Sequence, residues 1–471
     1  MAFGLGALRR AALFAVVLAS GLAVCRASDS VVSQLYPGYD PLHIDGHGLR
    51  REPHALERFV SANASVQLDA RIKVAAELSS SGEWASVLVE GVADPRMDDV
   101  LALSVPAGAH PALVTPVKYK WLAPEAGYLT SGSAKVSFRI LNLRQSMDCV
   151  LIRNGLERPT VAARSEEIEP KHPGAPLRLH LSFTGVPGQV VVHWSGAKDF
   201  NATRGSKAAG GALENGTYPA GWVEYGPANA ARYASTASAR AATYDRTDMC
   251  GPPASTIGWL DPGVLYSARL DGLEAKREYR YRACIRASET LCSEEFAFLA
   301  PPWSAGPSGE AGSSADFALG DGPSTAPATV RMLAFADVGA MDEDGSYELD
   351  QVSGARAALL AADRELREGG EPGLTLAMLV GDVSYACGYG AIWALFWDRW
   401  ERVFARLPLM TAVGNHERDW PNSGDRFPDQ HDSGGECGVP YYRHTGMPTL
   451  AEDQPWYSFD HGPVHFVVYS T

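Results

Sequence analysis

Basic residues are outnumbered in this 471-residue sequence, with 41 Lys and Arg against 55 Asp and Glu and a formal net charge of −14. The sequence also lacks a CxxC pair, and its N-terminal apolar run falls short of the roughly 20 residues that a membrane-spanning helix needs. The charge argues against a surface for nucleic acid or anionic membranes, which select clustered Lys and Arg. A zinc ribbon and stable membrane insertion are disfavoured by the other two absences.

That apolar run, Ala11 to Val24, follows Arg9 and Arg10 and ends in small residues. It predicts a signal peptide over residues 1–27 and a protein secreted to the extracellular space, with a cell-wall or vacuolar route as variants; a membrane anchor is the weaker alternative. Six cysteines follow the predicted signal peptide, enough for three disulfides of unspecified pairing.

Three asparagines begin N-x-Ser/Thr sequons and are predicted glycosylation sites in a secreted protein: Asn63, Asn201 and Asn215.

Changes of pattern divide the remaining chain into four parts. Alternating and β-branched runs between turn residues predict a β-rich domain over 28–169 and a second one, a β-sandwich, over 170–300. Gly, Ser, Ala and Pro dominate the predicted linker over 301–328. From 329 to 471, strand-like runs alternate with helical patterns.

The strand-like runs of this last part are VRMLAF, TLAMLV and LPLMTAV, and helices are predicted around 349–367 and 392–406. Such an order predicts a parallel sheet covered by helices, in which loops at the carboxyl ends of the strands hold the chemistry.

Polar motifs follow each of these strands: Asp337-Val338-Gly339, Gly381-Asp382-Val383-Ser384-Tyr385 and Gly414-Asn415-His416-Glu417. Taken singly, an Asp-Gly turn or an Asn-His pair is more often a turn, a cap or a surface feature. Taken together, hard oxygen and imidazole donors at one edge of a sheet favour a metal site.

The set DxG, GDxxY and GNHE resembles the calcineurin-like metallophosphoesterases, and its tyrosine resembles the purple acid phosphatases. The segments VGDVSYACGY, GNHERDWPNSG, DSGGECGVPYY and WYSFDHG are similar to the large plant and algal members, and DMCGPPAST and GWLDPG resemble their fibronectin-like domain. The resemblance implies a multidomain fold: N-terminal β-sandwich (fibronectin-like) modules followed by an incomplete α/β metallophosphoesterase domain.

By this resemblance the protein is a secreted acid phosphatase that cleaves phosphate monoesters, or nucleotide phosphodiesters and pyrophosphates, with a hydroxide activated by two metals. Asp337 and Tyr385 would hold Fe(III), Asp382 would bridge the ions, and Asn415 would hold a divalent zinc, manganese or iron. Asn415 and His416 would contact the phosphate ester, His416 as the catalytic residue. A homodimer is one option, and no nucleic-acid polymer is expected as partner.

Neighbouring residues leave alternatives open. Glu417 either orients His416 or is a solvated loop acid, at equal weight. Cys387 and Cys437 are expected in disulfides, with each other or elsewhere. Aromatic residues at helical spacing predict core packing: Trp393, Phe396, Trp397 and Trp400.

Two further motifs of the resembled family, VxxH and GHxH, supply three metal-binding histidines that we do not find downstream. Four late histidines carry no ligand assignment, and the last two are expected to be structural or surface residues: His431, His444, His461 and His465. Thr471 falls at the end of a predicted fourth sheet strand, so we expect a truncated chain with weak metal binding and little activity. The alternative is an inactive fragment or a non-catalytic secreted β-sandwich binding protein with an incomplete metal site.

Overall fold

The computed structural model describes residues 16–19, 70–75, 81–111, 113–155, 159–198, 218–286, 289–303, 330–346, 354–370, 373–421, 431–451 and 454–470. The predicted glycosylation sites Asn63, Asn201 and Asn215 lie outside these residues, as does nearly all of the predicted linker. Within the predicted signal peptide, only strand β1 (Val16–Ala19) is described. None of the helices in these ranges has the length and apolar character to cross a membrane.

Two antiparallel sheets form the first module, strands β2 to β8. The elements are β2 (Arg71–Ala75), β3 (Glu83–Glu90), β4 (Val100–Ser104), β5 (Lys118–Trp121), α1 (Tyr128–Ser131), β6 (Ala134–Ile140), β7 (Asp148–Arg153) and β8 (Thr160–Arg164). The sheet orders are β2-β3-β6 and β5-β4-β7-β8. Val87 and Phe138 of one sheet and Leu101 and Leu151 of the other are buried in one core, as the alternation of apolar residues requires.

The second module, strands β9 to β17, repeats this architecture. Its strands are β9 (Leu177–Phe183), β10 (Val190–Gly196), β11 (Ala220–Pro227), β12 (Ser235–Ser238), β13 (Arg240–Ala242), β14 (Val264–Leu270), β15 (Glu278–Arg286), β16 (Thr290–Cys292) and β17 (Phe296–Leu299). One sheet runs β13-β14-β10-β9; the other runs β12-β11-β15-β16, with β17 on β15. Trp194, Tyr266 and Ile285 fill its core. The two modules confirm the predicted N-terminal β-sandwich fold.

The α/β module follows, strands β18 to β22. Its elements are β18 (Met332–Phe335), α2 (Ala355–Glu368), β19 (Leu376–Val380), α3 (Gly390–Phe404), β20 (Leu409–Ala412), α4 (Asn415–Arg418), α5 (Val439–Thr445), β21 (Tyr457–His461) and β22 (Val464–Ser470). Strands β18, β19 and β20 form a parallel sheet in that order. The three predicted strands and the two predicted helices are therefore confirmed, with α2 described from Ala355 onward.

Both faces of the parallel sheet are buried, which explains its continuous apolar strands. Ala377 and Leu379 share a core with helices α2 and α3, whose aromatic residues Trp393, Phe396, Trp397 and Trp400 are buried as predicted. Leu376 and Met378 point to the opposite face and share a core with Phe459 of β21 and with the second module.

The prediction that residues 464–470 form a fourth strand of this sheet is wrong. Strand β22 pairs with β21 in an antiparallel hairpin and with β1 in parallel, as a separate sheet. The tight connection around Gly462, with a φ of 58°, favours this hairpin over a crossover to the parallel sheet.

Candidate active site

The three polar motifs meet at the carboxyl edge of the parallel sheet. Phe335 of β18 lies opposite Leu379 of β19, and Val380 lies opposite Ala412 of β20. Each strand therefore ends at nearly the same level, and the loops that follow bring Asp337 and Asp382 together.

Tyr385 joins the first two motifs. Its hydroxyl donates to Asp337 Oδ1 at 2.7 Å and also lies 3.3 Å from Asp382 Oδ2. Adjacent oxygen ligands on one cation, each about 2.1 Å from it, are separated by about 3 Å. The Tyr385 hydroxyl thus lies, relative to each of the two aspartate oxygens, at the spacing of neighbouring ligands of one metal ion.

The backbone at these residues is unusual. Asp337, Asp382 and Tyr385 have φ values of 54°, 49° and 52°, in the left-handed region that non-glycine residues rarely adopt. Such conformations persist only where the surroundings enforce them, and they cluster at functional sites. Here they turn all three side chains toward one point.

Burial and charge oppose ionisation of this cluster. Burial raises the pKa of Asp382 above its usual range, and the charge of Asp337 adds to the effect, while His416 lowers it. Burial and the Asp382 charge likewise raise the pKa of Tyr385. A bound cation would reverse both shifts, because it stabilises the carboxylate and phenolate forms.

The donor set fits a hard cation such as Fe(III), since it consists of two carboxylates and a phenol. The described part of the chain contains no group of three or more His, Cys, Asp or Glu that could hold a metal. Of the predicted ligands, Asp337, Asp382 and Tyr385 would serve one ion, and Asp382 and Asn415 would serve a second.

His416 lies beside the cluster. Its backbone N–H donates to Asp382 Oδ1 at 3.2 Å, and its ring centroid is 4.4 Å from that of Tyr385. Its Nδ1 atom lies 3.4 Å from Cys387 Sγ. His416 is partly exposed.

The contact with Cys387 was not foreseen. The disulfides are Cys250–Cys437 and Cys284–Cys292, so Cys437 is bridged as predicted, whereas the disulfide predicted for Cys387 is wrong. The reason is geometric: Cys437 bonds to the second module, and the Cys387 thiol faces His416.

Asn415 begins α4 with an exposed side chain. Its Nδ2 donates to Asp432 Oδ2 at 2.9 Å, which leaves the amide oxygen as the atom that could bind a metal. Sequence reasoning missed Asp432, although the segment DSGGECGVPYY that contains it was part of the resemblance.

Both interpretations of Glu417 are wrong. The side chain is 1% exposed, Oε1 accepts the Val383 N–H at 2.8 Å, and Oε2 accepts the Gly414 N–H at 3.0 Å. Burial raises its pKa to about 8, with a further contribution from Asp382. Glu417 therefore ties the second motif loop to the third and makes no described contact with the His416 ring.

Three of the four late histidines make no described contact with the predicted site residues. His461 is buried against Thr375 at 2.9 Å, and His465 is exposed beside Asp460 at 2.7 Å, as expected of a structural and a surface residue. His444 is buried and stacked on Trp393.

Comparison with known proteins gives consistent matches. Residues 51–171 match the Fn3-like domain from purple acid phosphatase, and residues 176–300 match the purple acid phosphatase N-terminal domain. The solved structure of a purple acid phosphatase from yellow lupin (Lupinus luteus) seeds is 26% identical with a TM-score of 0.71, covering 85% of this chain and 66% of that one.

Two relatives differ in what their names state. "Probable inactive purple acid phosphatase 27" of Arabidopsis thaliana is 27% identical over 405 residues, 83% of this chain and 59% of the relative. A "Nucleotide pyrophosphatase/phosphodiesterase" of Hordeum vulgare is 37% identical over 138 residues, 29% of this chain and 36% of the relative. The chain thus spans less than two thirds of the length of these relatives.

Proposed function

Because the chain belongs to the purple acid phosphatase family, we propose that it hydrolyses phosphate esters at a site formed by Asp337, Asp382, Tyr385, Asn415 and His416. The observation that carries the proposal is the hydrogen-bonded arrangement of Tyr385 with Asp337 and Asp382 at the carboxyl edge of the sheet. The substrates are phosphate monoesters, with nucleotide phosphodiesters and pyrophosphates as a second class.

In this proposal Asp337 and Tyr385 would hold Fe(III), Asp382 would be a ligand shared by both ions, and Asn415 would hold the divalent ion, which would be zinc, manganese or iron. When bound, the two metals supply a nucleophile by lowering the pKa of water and neutralise charge on the phosphoryl oxygens. Tyr385 contributes a phenolate donor, and the half-buried carboxylate of Asp382 is oriented by the His416 backbone N–H.

His416 acts on the substrate in this proposal. Its Nδ1 faces the Cys387 thiol, so Nε2 is the ring nitrogen that we assign to the phosphate ester. From there the imidazole donates a hydrogen bond to a phosphoryl oxygen or protonates the leaving alkoxide.

The protein acts outside the cytosol in this proposal. The two disulfides found among the described residues are consistent with an oxidising compartment. Cleavage of residues 1–27 and glycosylation at Asn63, Asn201 and Asn215 belong to the same proposal.

A second candidate is a non-catalytic secreted binding protein. Two observations favour it. Arabidopsis relatives carry names that state "probable inactive". The described residues contain no group of three or more His, Cys, Asp or Glu that could hold a metal.

The test combines metal binding with turnover. The purified chain is titrated with Fe(III) and Zn(II), and hydrolysis of p-nitrophenyl phosphate and of its bis ester is followed. We expect Tyr385→Phe to abolish a visible phenolate-to-iron absorption band, and His416→Ala to keep the band while lowering kcat. Tyr233→Phe in the second module serves as the matched control.

Metal binding with no turnover in any substrate class would favour the binding protein. Turnover unaffected by either substitution would reject the site altogether.

A further inference from the structure

Several residues of the first module contact the metal-site loop, and one of them is a buried ammonium group; Lys120 Nζ also donates to the Asp344 carbonyl, and Arg139 Nη1 lies 3.5 Å from Asp342 Oδ2. Lys118, on β5, forms ion pairs with Asp342 and, at 3.1 Å, with Asp344 Oδ2. The side chains of all three residues are fully buried. A third contact, from Lys118 Nζ to the carbonyl of Arg139 at 2.7 Å, satisfies the remaining hydrogen of the ammonium.

These aspartates belong to the loop that begins with Asp337. At the start of this loop, the Asp337 N–H faces the Gly381 carbonyl at 3.4 Å, and the Gly339 N–H donates to the Val383 carbonyl at 3.0 Å. Asp342 lies five positions after Asp337. A displacement of the Lys118 contact would therefore be transmitted over a short segment to the predicted iron ligand.

Asp344 is held from several sides. Its Oδ2 accepts the Arg139 N–H at 2.8 Å, and its Oδ1 accepts the Ser346 N–H at 2.9 Å. Burial alone would raise the pKa of Asp344, but the Lys118 ammonium and the hydrogen bonds lower it below the usual value. The carboxylate is thus charged, and its geometry depends on groups of the first module.

The same module also holds the helix that follows the second motif. Arg139 Nη2 lies 2.8 Å from Asp398 Oδ2, and the Ser81 hydroxyl donates to Asp398 Oδ1 at 2.6 Å. Asp398 lies on α3, which begins five residues after Tyr385. Next to it, Arg399 forms a bidentate pair with Glu343 at 3.1 and 3.2 Å, closing the connection between loop and helix.

We propose that the first module is a positioning element for the metal site, with Lys118 as the positioning residue that fixes the loop from Asp337 to Ser346. Removal of the ammonium leaves two buried carboxylates that repel each other and are more stable when solvated. The loop would therefore move toward solvent. The role of the loop in metal binding rests on the proposed function, whereas its dependence on Lys118 does not.

The test compares Lys118→Met with Arg153→Met in the full chain. Arg153 is the matched control, because its Nε pairs at 3.1 Å with the buried Asp99 inside the first module and away from the loop. We expect K118M to raise amide hydrogen exchange in residues 337–346 by about tenfold or more and to weaken Zn(II) or Fe(III) binding by about tenfold. R153M should lower stability without either effect.

If K118M does not fold, Asp342→Asn, which keeps the Lys118–Asp344 pair, replaces it, with exchange and affinity changes of about threefold expected. Equal exchange in 337–346 for the Lys118 or Asp342 variant and for R153M would overturn the proposal. The exchange measurement needs neither metal nor turnover. If the wild-type chain has no phosphatase activity, the proposed function is contradicted, but the exchange comparison still tests the role of Lys118.

Discussion

Gly414 packs directly against the carboxylate of Asp382: a Cβ atom at Gly414 would lie 2.1 Å from Asp382 Oδ1 and 2.4 Å from the Asp382 backbone nitrogen. No real Cβ contact is this short, so the third motif needs glycine to let the predicted bridging ligand approach. The requirement is steric, because the φ of Gly414, −107°, is open to any residue.

We therefore expect Gly414→Ala to displace Asp382 and weaken metal binding by about 10-fold to 100-fold, since displaced ligands and their supports cost this much affinity. Metal titration followed by calorimetry measures the change. Gly354→Ala at the start of α2 is the control, because a Cβ there would meet nothing within 4 Å. Unchanged affinity in the Gly414 variant would show that Asp382 is not a ligand.

Glu417→Ala should lower the free energy of unfolding by about 2 to 4 kcal/mol, because the buried N–H groups of Val383 and Gly414 lose their acceptors. Urea unfolding measures the loss. The control is Glu368→Ala, whose side chain is 60% exposed in an ion pair with Arg364 and should change stability by less than about 0.5 kcal/mol. Similar losses in both variants would contradict a bridging role for Glu417.

The two described disulfides should differ in how much they stabilise the folded protein. Cys250–Cys437 links residues 187 positions apart and joins the second module to the α/β module, whereas Cys284–Cys292 closes a separation of 8 within one hairpin. Loop-closure entropy predicts stabilisation of about 5 and about 2.5 kcal/mol. Urea unfolding of C250A/C437A and C284A/C292A compares them, and a larger loss for the hairpin pair would refute this ranking.

Local patterns in the sequence were sufficient to predict that Asp337, Asp382 and Tyr385 lie at one edge of the sheet. Each lies a few residues after an apolar strand, and parallel strands end at one edge. The same reasoning failed for β22, where a short turn around Gly462 returned the chain to β21. Strand identity was predictable from apolar periodicity, but the partner of the strand depended on contacts with other elements.

Residues that support the site were beyond sequence reasoning for a related reason. Lys118 is 224 positions from Asp342, and nothing in KYKW distinguishes a buried ammonium from a surface one. Cys387 was assigned to a disulfide on the basis of compartment, although its thiol faces His416. In both cases the function of the side chain is set by a long-range contact that a single sequence does not contain.

Three buried histidines, His180, His193 and His444, are expected to limit the stability of the protein in acid. His180 stacks on His193 at 4.8 Å and on Trp397 at 4.0 Å, and its Nε2 lies 2.9 Å from the His444 carbonyl. The cluster packs strands of the second module against helices of the α/β module. Burial, together with the neighbouring His180 and Arg178, lowers the pKa of His444 to about 3. The Tyr244 hydroxyl lies 3.5 Å from its Nε2.

The sign of the effect follows from this lowered pKa. In the unfolded chain, a histidine takes up a proton below about pH 6.5, whereas folded His444 stays neutral until about pH 3. Stability is therefore present at pH 7 and is lost as the pH falls from 6.5 toward 3, by up to about 3 kcal/mol at pH 4 for this one residue. His444→Phe keeps the stack on Trp393 and removes the proton uptake.

We expect urea unfolding of H444F to show a smaller difference in stability between pH 7 and pH 4 than the wild-type chain does, even if H444F is less stable at pH 7. His172→Phe is the control, because the His172 side chain is exposed. If H444F and wild type lose the same free energy between pH 7 and pH 4, His444 takes up its proton equally in both states, and its burial does not limit acid stability.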